Sequence, residues 1–325
     1  MKRVLALGLL LLTAASSALG QRMSFAPDAF LKDVDSVAGA SKIGAALYAA
    51  DPDKKARWGD YCGQSRRLAE KGEFRQAIRA AAKALYLGDP GATTSGGAYM
   101  TAANDIAMAY SYAGAHATAR EWADKTLAAI DKGADQDWVR QQIPVLKASS
   151  HQIRGLSLSQ IDKHSEATAE LRKGLDALPF FGSGMAKSEM RLALASIEIR
   201  AARFDRAAEA LEPALKESDP VLKRAASRVA GELALAKRDA QAALKYFRQG
   251  LGTSSAEKDP FQIVMLQLGL ARAHRLAGDA DAAAEPLAQA LGGLEQLRTS
   301  FSSFEMRSAL YGNLQNVFDE AVDYY

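Results

Sequence analysis

With 325 residues and a net charge of +3, the chain is long enough for one stacked array or two domains, and too near neutral to argue for nucleic acid as a partner. Hydrophobic residues make up 48% of it but aromatics only 7%, alanine is abundant, and runs rich in Val, Ile and Thr are essentially missing, which argues against a sheet. A core built on Ala and Leu lets helices approach closely and suits paired helices.

Residues 1–20 read MKRVLALGLLLLTAASSALG: Lys2 and Arg3, an apolar run over 4–12, then Ala18 and Gly20 as the small residues before Gln21. This is the pattern of a Sec-type signal peptide, and it predicts a bacterial protein that is periplasmic or secreted. The apolar run is short for a bilayer-spanning helix, and no later segment is long enough, so no transmembrane segment is expected after cleavage. Removal of the peptide lowers the net charge to +1. Cys62 is the single cysteine, so no internal disulfide forms, and it reads as a buried small hydrophobe.

Residues 21–57 read as an N-terminal helical cap, with helical pieces over 29–37 and 41–50 and a break at Asp51-Pro52-Asp53. From 58 to 293 one unit recurs: an Ala-rich helical half, a short polar break, and a second helical half with an Ala at a fixed offset. The first copy is WGDYCGQSRRLAEKGEFRQAIRAAAKALYLGDP (58–90), where Gly72 ends the first helix and Phe74 opens the second. Later breaks fall at Gly114, Asp162, Ala202, Arg238 and Gly278, and the recurring Ala at 77, 119, 167, 207, 243 and 283. The third copy's first helix is expected to extend back toward Trp138, with a kink near Pro144, and Pro213 and Pro286 should bend second helices locally. One such unit cannot bury its own apolar face, so the fold must come from stacking copies.

Ser65, Ala77 and Ala84 match the small residues at the eighth, twentieth and twenty-seventh positions of the tetratricopeptide repeat (TPR), and the array resembles that family. The intervals here, 42, 48, 40, 36 and 40 residues, exceed the family's period of about 34. The resemblance implies an all-α, right-handed superhelical solenoid of about six TPR-like helix-turn-helix repeats. Its first helices would line a concave groove for a protein or peptide partner.

Residues 294–325 depart from the repeat. Arg298, a Ser-rich break over 300–303, Arg307, Leu310 and a last helix with Val317 and Val322 resemble the junction between TPR arrays and a CHAT domain, a caspase-like bacterial module. Ser303 is a plausible N-cap there, with Met306, Leu310, Leu314 and Val317 on one face. That resemblance implies the regulatory arm of a protease whose catalytic domain lies outside this chain, so no catalytic residue carries over.

The residues themselves offer no catalytic set and no cofactor or metal site. His116, His151, His164 and His274 form no HxxxH or HExxH pair, no CxxC occurs, and the glycines of GATTSGG follow no strand and lack the Lys of a phosphate loop. Binding remains. Counting from each repeat's start places Arg66, Asn104, Met108, Tyr112, Gln152, Arg228, Arg272 and Arg275 toward the groove, where Arg and Tyr make good peptide anchors. The expected function is an exported, non-enzymatic scaffold. The rival readings are the CHAT-type protease arm and an envelope-assembly or glycan-binding protein, for which Tyr112 is the one candidate stacking residue.

Overall fold

The computed structural model describes residues 34, 36–54, 57–88, 96–133, 137–179, 184–253 and 260–300. The signal peptide, Pro90, the FFGS that follows Pro179, and the tail residues Ser303, Met306, Arg307, Leu310, Leu314 and Val317 lie outside them. Among the described residues there are thirteen α-helices and no strand. They fall into two compact units divided at Phe180 and Phe181.

The first unit holds α1 (Val37–Ala49), α2 (Trp58–Glu70), α3 (Phe74–Gly88), α4 (Gly97–Tyr112), α5 (His116–Asp131), α6 (Asp137–Ser159) and α7 (His164–Ala177). The second holds α8 (Gly184–Arg200), α9 (Phe204–Leu215), α10 (Pro220–Ala236), α11 (Ala240–Leu251), α12 (Pro260–Leu276) and α13 (Ala280–Ser300). The six copies read from the sequence are the six pairs α2/α3 through α12/α13. Pro144, Pro213 and Pro286 lie inside α6, α9 and α13. Helix α6 reaches back past Trp138, as expected, and α13 continues past 293 to Ser300.

The turn between paired helices is the same device six times. Gly72, Gly114, Asp162, Ala202, Arg238 and Gly278 all have positive φ, between 55° and 82°. In each case the N–H of the next residue reaches back to the carbonyl four residues before the turn, as from Glu73 to Leu68, Lys163 to Leu158 and Asp279 to His274, at 2.9–3.1 Å. This left-handed C-cap satisfies carbonyls that the ending helix leaves open, and it starts the second helix at a fixed angle.

The pairs close on small side chains in the same register. Seven residues before the turn stand Ser65, Ala107, Gly155, Ala195, Gly231 and Ala271, all buried. Five after it stand the six alanines, and twelve after it Ala84, Thr126, Gly174, Ala214, Gly250 and Ala290, again all buried. The fit is close: a Cβ on Gly155 would lie 2.9 Å from Leu171 Cγ and 3.0 Å from the Ala167 carbonyl oxygen. The Phe247 ring of α11 packs against both Gly231 on α10 and Gly269 on α12, where a Cβ would come within 2.5 and 2.4 Å of it. Native-density packing of this kind leaves no room for a methyl group.

Stacking then follows within each unit. A second helix packs on the first helix of the next repeat, and first helices pack on first helices, giving the rows α2–α4–α6 and α8–α10–α12. The second helices α3, α9 and α11 bury one apolar stripe, whereas α4 is buried along most of its circumference.

The cap differs from expectation at its start. Helix α1 begins at Val37 because Ser36 is its N-cap, with Oγ accepting from the Gly39 N–H at 3.0 Å. The expected piece over 29–37 lies almost wholly outside the described residues. Helix α1 packs on α3 so closely that a Cβ on Gly44 would overlap the Ala82 carbonyl. Upstream of it, the fully buried Val34 accepts a hydrogen bond from Trp122 Nε1 of α5 at 3.1 Å.

Candidate functional site

The first-helix rows are where side chains outside the repeated packing register can vary, so the eight groove candidates are placed on them. In the first unit, Arg66 of α2 is one-third exposed and donates from Nε to Asp105 Oδ1 of α4 at 2.8 Å. Asp105 is buried, and its Oδ2 has no hydrogen-bond partner. Burial raises the Asp105 carboxyl above its ordinary value against the pull of Arg66, and Asp105 in turn holds Arg66 in its charged form. Next to it Cys62 is buried, and desolvation, with Asp105 second, pushes its thiol well above the ordinary range. A thiol in that state is a poor nucleophile, in keeping with a packing role.

Asn104 is buried where α4 meets α6 and lies 3.5 Å from Ser150 Oγ, and Gln152 is buried on α6. Met108 and Tyr112 are half-buried one turn apart on α4, with the Tyr112 ring centroid 6.4 Å from Phe74. In the second unit, Arg228 of α10 is buried, donates to Gln262 of α12 at 2.9 Å, and also bonds Glu232 one turn along its own helix. Arg272 is half-buried and Arg275 exposed on α12.

The candidates therefore divide. Asn104, Gln152 and Arg228 are buried within the packed rows, while Arg66, Met108 and Tyr112 in one unit, and Arg272 and Arg275 in the other, keep surface. A partly exposed arginine held by a buried carboxylate can present directed hydrogen bonds, and the half-buried Met and Tyr can cover apolar side chains.

Counting along helices missed one polar cluster. Glu170 of α7 meets His151 Nδ1 and Arg154 Nε of α6 at 2.9 Å each, and Lys173 Nζ at 2.8 Å. Burial works to raise this carboxyl, but hydrogen bonds from Lys173 and His151, with the Arg154 charge, outweigh it and hold it below its ordinary value. The contacts of His151 and Arg154 with Glu170 tie α6 to α7, and Arg154 also pairs with Asp124 of α5 at 3.2 Å. Glu170 and Lys173 stand at i, i+3 spacing on one helix, but no spacing rule connects them to His151 and Arg154, which meet Glu170 only once the pair has folded. Among the described residues no group of three or more His, Cys, Asp or Glu is placed to hold a metal ion, and no helix is long and apolar enough to cross a membrane.

The repeated turn, the small-residue register and the rows of first helices define an all-α helical solenoid of the TPR-like class. Among solved structures, the chain is similar to a chain in the crystal structure of the APC/C hetero-tetramer Cut9–Hcn1, at 17% identity and a TM-score of 0.51. The match, to the TPR-repeat subunit Cut9, covers 89% of this chain and 50% of that one, so the chain spans about half that length. No protein-family model matches the sequence, and no curated protein does.

Proposed function

We propose that this chain is an exported, non-catalytic scaffold that holds a protein or peptide partner on its first-helix rows. The observation that carries the reading is the contrast within each repeat. Turn and packing positions are alike in all six copies, whereas the partly exposed first-helix position six before the turn changes, from Arg66 to Met108 to Glu232. Solenoids of this kind use such rows for extended binding surfaces. The signal-peptide pattern of residues 1–20 supports a periplasmic or secreted site of action. The resemblance of residues 294–325 to a TPR–CHAT junction supports a second reading, in which the scaffold serves a caspase-like protease domain.

Replacing Arg272→Glu together with Arg275→Glu should weaken partner capture from envelope extracts while leaving thermal unfolding nearly unchanged. Capture that survives the double substitution would remove the α12 end of the row from the binding surface.

A further inference from the structure

One acid in the second unit is buried with no hydrogen-bond donor among the described residues. Glu189, near the start of α8, is 3% exposed, and its Oε1 has no hydrogen-bond partner. Two other carboxylates stand at the same end of the α8–α10 contact, and both are engaged. Glu217 accepts from Ser188 Oγ at 2.5 Å, and Asp219 caps α10 by accepting from the Val221 and Leu222 N–H groups at 2.8 and 3.1 Å.

The nearby cations are directed elsewhere. Arg224 of α10 bonds Thr253 at 3.0 and 3.3 Å, and Lys216 bonds Glu212 at 2.7 Å. Lys223 is exposed on α10, and Lys187 and Arg191 flank Glu189 on its own helix, half-buried. Of all these groups, Asp219 is the one whose charge acts on Glu189, and it carries the same sign.

We propose that Glu189 is a proton switch for the second unit: the protonated carboxyl lets α8 lie closed against the start of α10, and opening that seam releases the proton. A neutral acid can be buried here, whereas an ionised one would sit in low dielectric, without a donor, facing the ionised cap of α10. Burial, with the Asp219 charge second, moves Glu189 from 4.5 up to about 8. The folded carboxyl thus keeps a proton that an opened one gives up. The closed state binds more protons than the open state across that window, so closure is strongest below pH 4.5 and weakens up to about pH 8. Above that value both states are ionised and the dependence ends. If the row α8–α10–α12 carries a partner, its capture should weaken over the same range; that consequence rests on the scaffold reading, whereas the switch does not.

The test is hydrogen exchange on the full chain from about pH 5 to about pH 9, corrected for intrinsic rates, with α4 of the first unit as the internal reference. The expected result is that protection of amides whose exchange needs α8 to open falls about tenfold per pH unit up to about pH 8 and then levels. In Glu189→Gln that dependence should vanish. In Asp219→Asn, which keeps a capping side chain but removes the like charge, the levelling point should move to lower pH. Protection in α8 that stays flat across the range overturns the switch, as does an unaltered dependence in Glu189→Gln. If Glu189→Gln does not fold, an unmoved levelling point in Asp219→Asn overturns it. Each arm reads the seam directly, so a failure to find a partner leaves the result intact.

Discussion

The first unit turns its three helix pairs on Gly72, Gly114 and Asp162, whereas the second uses Ala202, Arg238 and Gly278. The units also differ in how their first helices meet. In the first, Arg66 and Asp105 join α2 to α4 as an ion pair that keeps one edge in water. In the second, Phe247 wedges against bare glycine backbone on α10 and α12, Arg228 is wholly buried, and Glu189 has no donor. The same architecture thus rests on two glycine turns, one strained turn and a part-exposed ion pair in one unit, and on two strained turns, one glycine turn and a ring wedged between glycines in the other. The second should respond more sharply to lost volume, and the first to lost charge.

Phe247→Ala tests the packing side of that contrast and should have the largest effect. Removing a fully buried ring leaves a cavity bounded by bare backbone at Gly231 and Gly269, and the cost should be about 3–5 kcal/mol. Urea unfolding should show the second unit melting earlier. Hydrogen exchange in α4 should be unchanged, and an equal loss of protection there would mean the two units unfold as one. Arg66→Met tests the charge side. It keeps the aliphatic stem but leaves Asp105 buried without its cation, at a cost of about 2–3 kcal/mol. Pairing it with Asp105→Asn should recover part of that loss, because the uncompensated charge is gone. A double variant as unstable as Arg66→Met would show that the side chains, not the charge, hold α2 to α4.

The turns offer a smaller and oppositely signed test. A non-glycine residue at positive φ costs about 1–2 kcal/mol, so Ala202→Gly and Arg238→Gly should each stabilise the second unit by about 1 kcal/mol. Gly114→Ala should destabilise the first unit by a similar amount. Asp162 should gain less from glycine, since Asp tolerates the left-handed region better than Ala or Arg. Thermal midpoints of the three exchanges would settle whether the strain is real: no rise for Ala202→Gly means the turn there has relaxed.

These turns were also the most legible feature of the sequence, even where the residue is not glycine. Arg238 and Ala202 read as breaks because the Ala five residues later recurs at a fixed offset, and that offset is enforced by contact between paired helices. The start of α1 was not legible in the same way, since one serine, Ser36, sets it. The groove candidates were legible only as a helical face. Periodicity tells which side of α10 Arg228 occupies, but its hydrogen-bond partner Gln262 is 34 residues away on the next first helix. Each interior first helix touches four others, so a polar residue on the predicted face can end up inside the row, as Asn104 and Gln152 do. Glu189 gave no signal at all: an acid near a helix start is ordinary, and only the stacking shows that nothing donates to it.

The mildest test concerns the cap, which belongs to the first unit alone. Asp51, just past α1, accepts from Lys83 Nζ at 2.5 Å and from the Tyr61 hydroxyl at 3.0 Å, and its Oδ1 takes the Asp53 N–H at 3.0 Å. Lys83 also lies 4.5 Å from the centre of the Tyr61 ring, which packs edge-on against Tyr48 of α1. The Lys83 hydrogen bond, set against a smaller opposing effect of burial, lowers Asp51 from 3.8 to about 2. A carboxylate held down in this way stabilises the folded cap above pH 3.8 and loses that contribution as the pH falls toward 2. The tyrosine near-ultraviolet signal of the cap should therefore fade on acidification within that window while the helical signal of the array persists. In Asp51→Asn the fading should be absent, because the titrating group is gone, and the cap should be weaker at neutral pH, where Lys83 no longer meets a carboxylate. An acid transition of the same midpoint and size in Asp51→Asn would assign it to another carboxyl, and would leave the cap held to α3 by the Gly44–Ala82 approach and the Tyr48–Tyr86 ring contact.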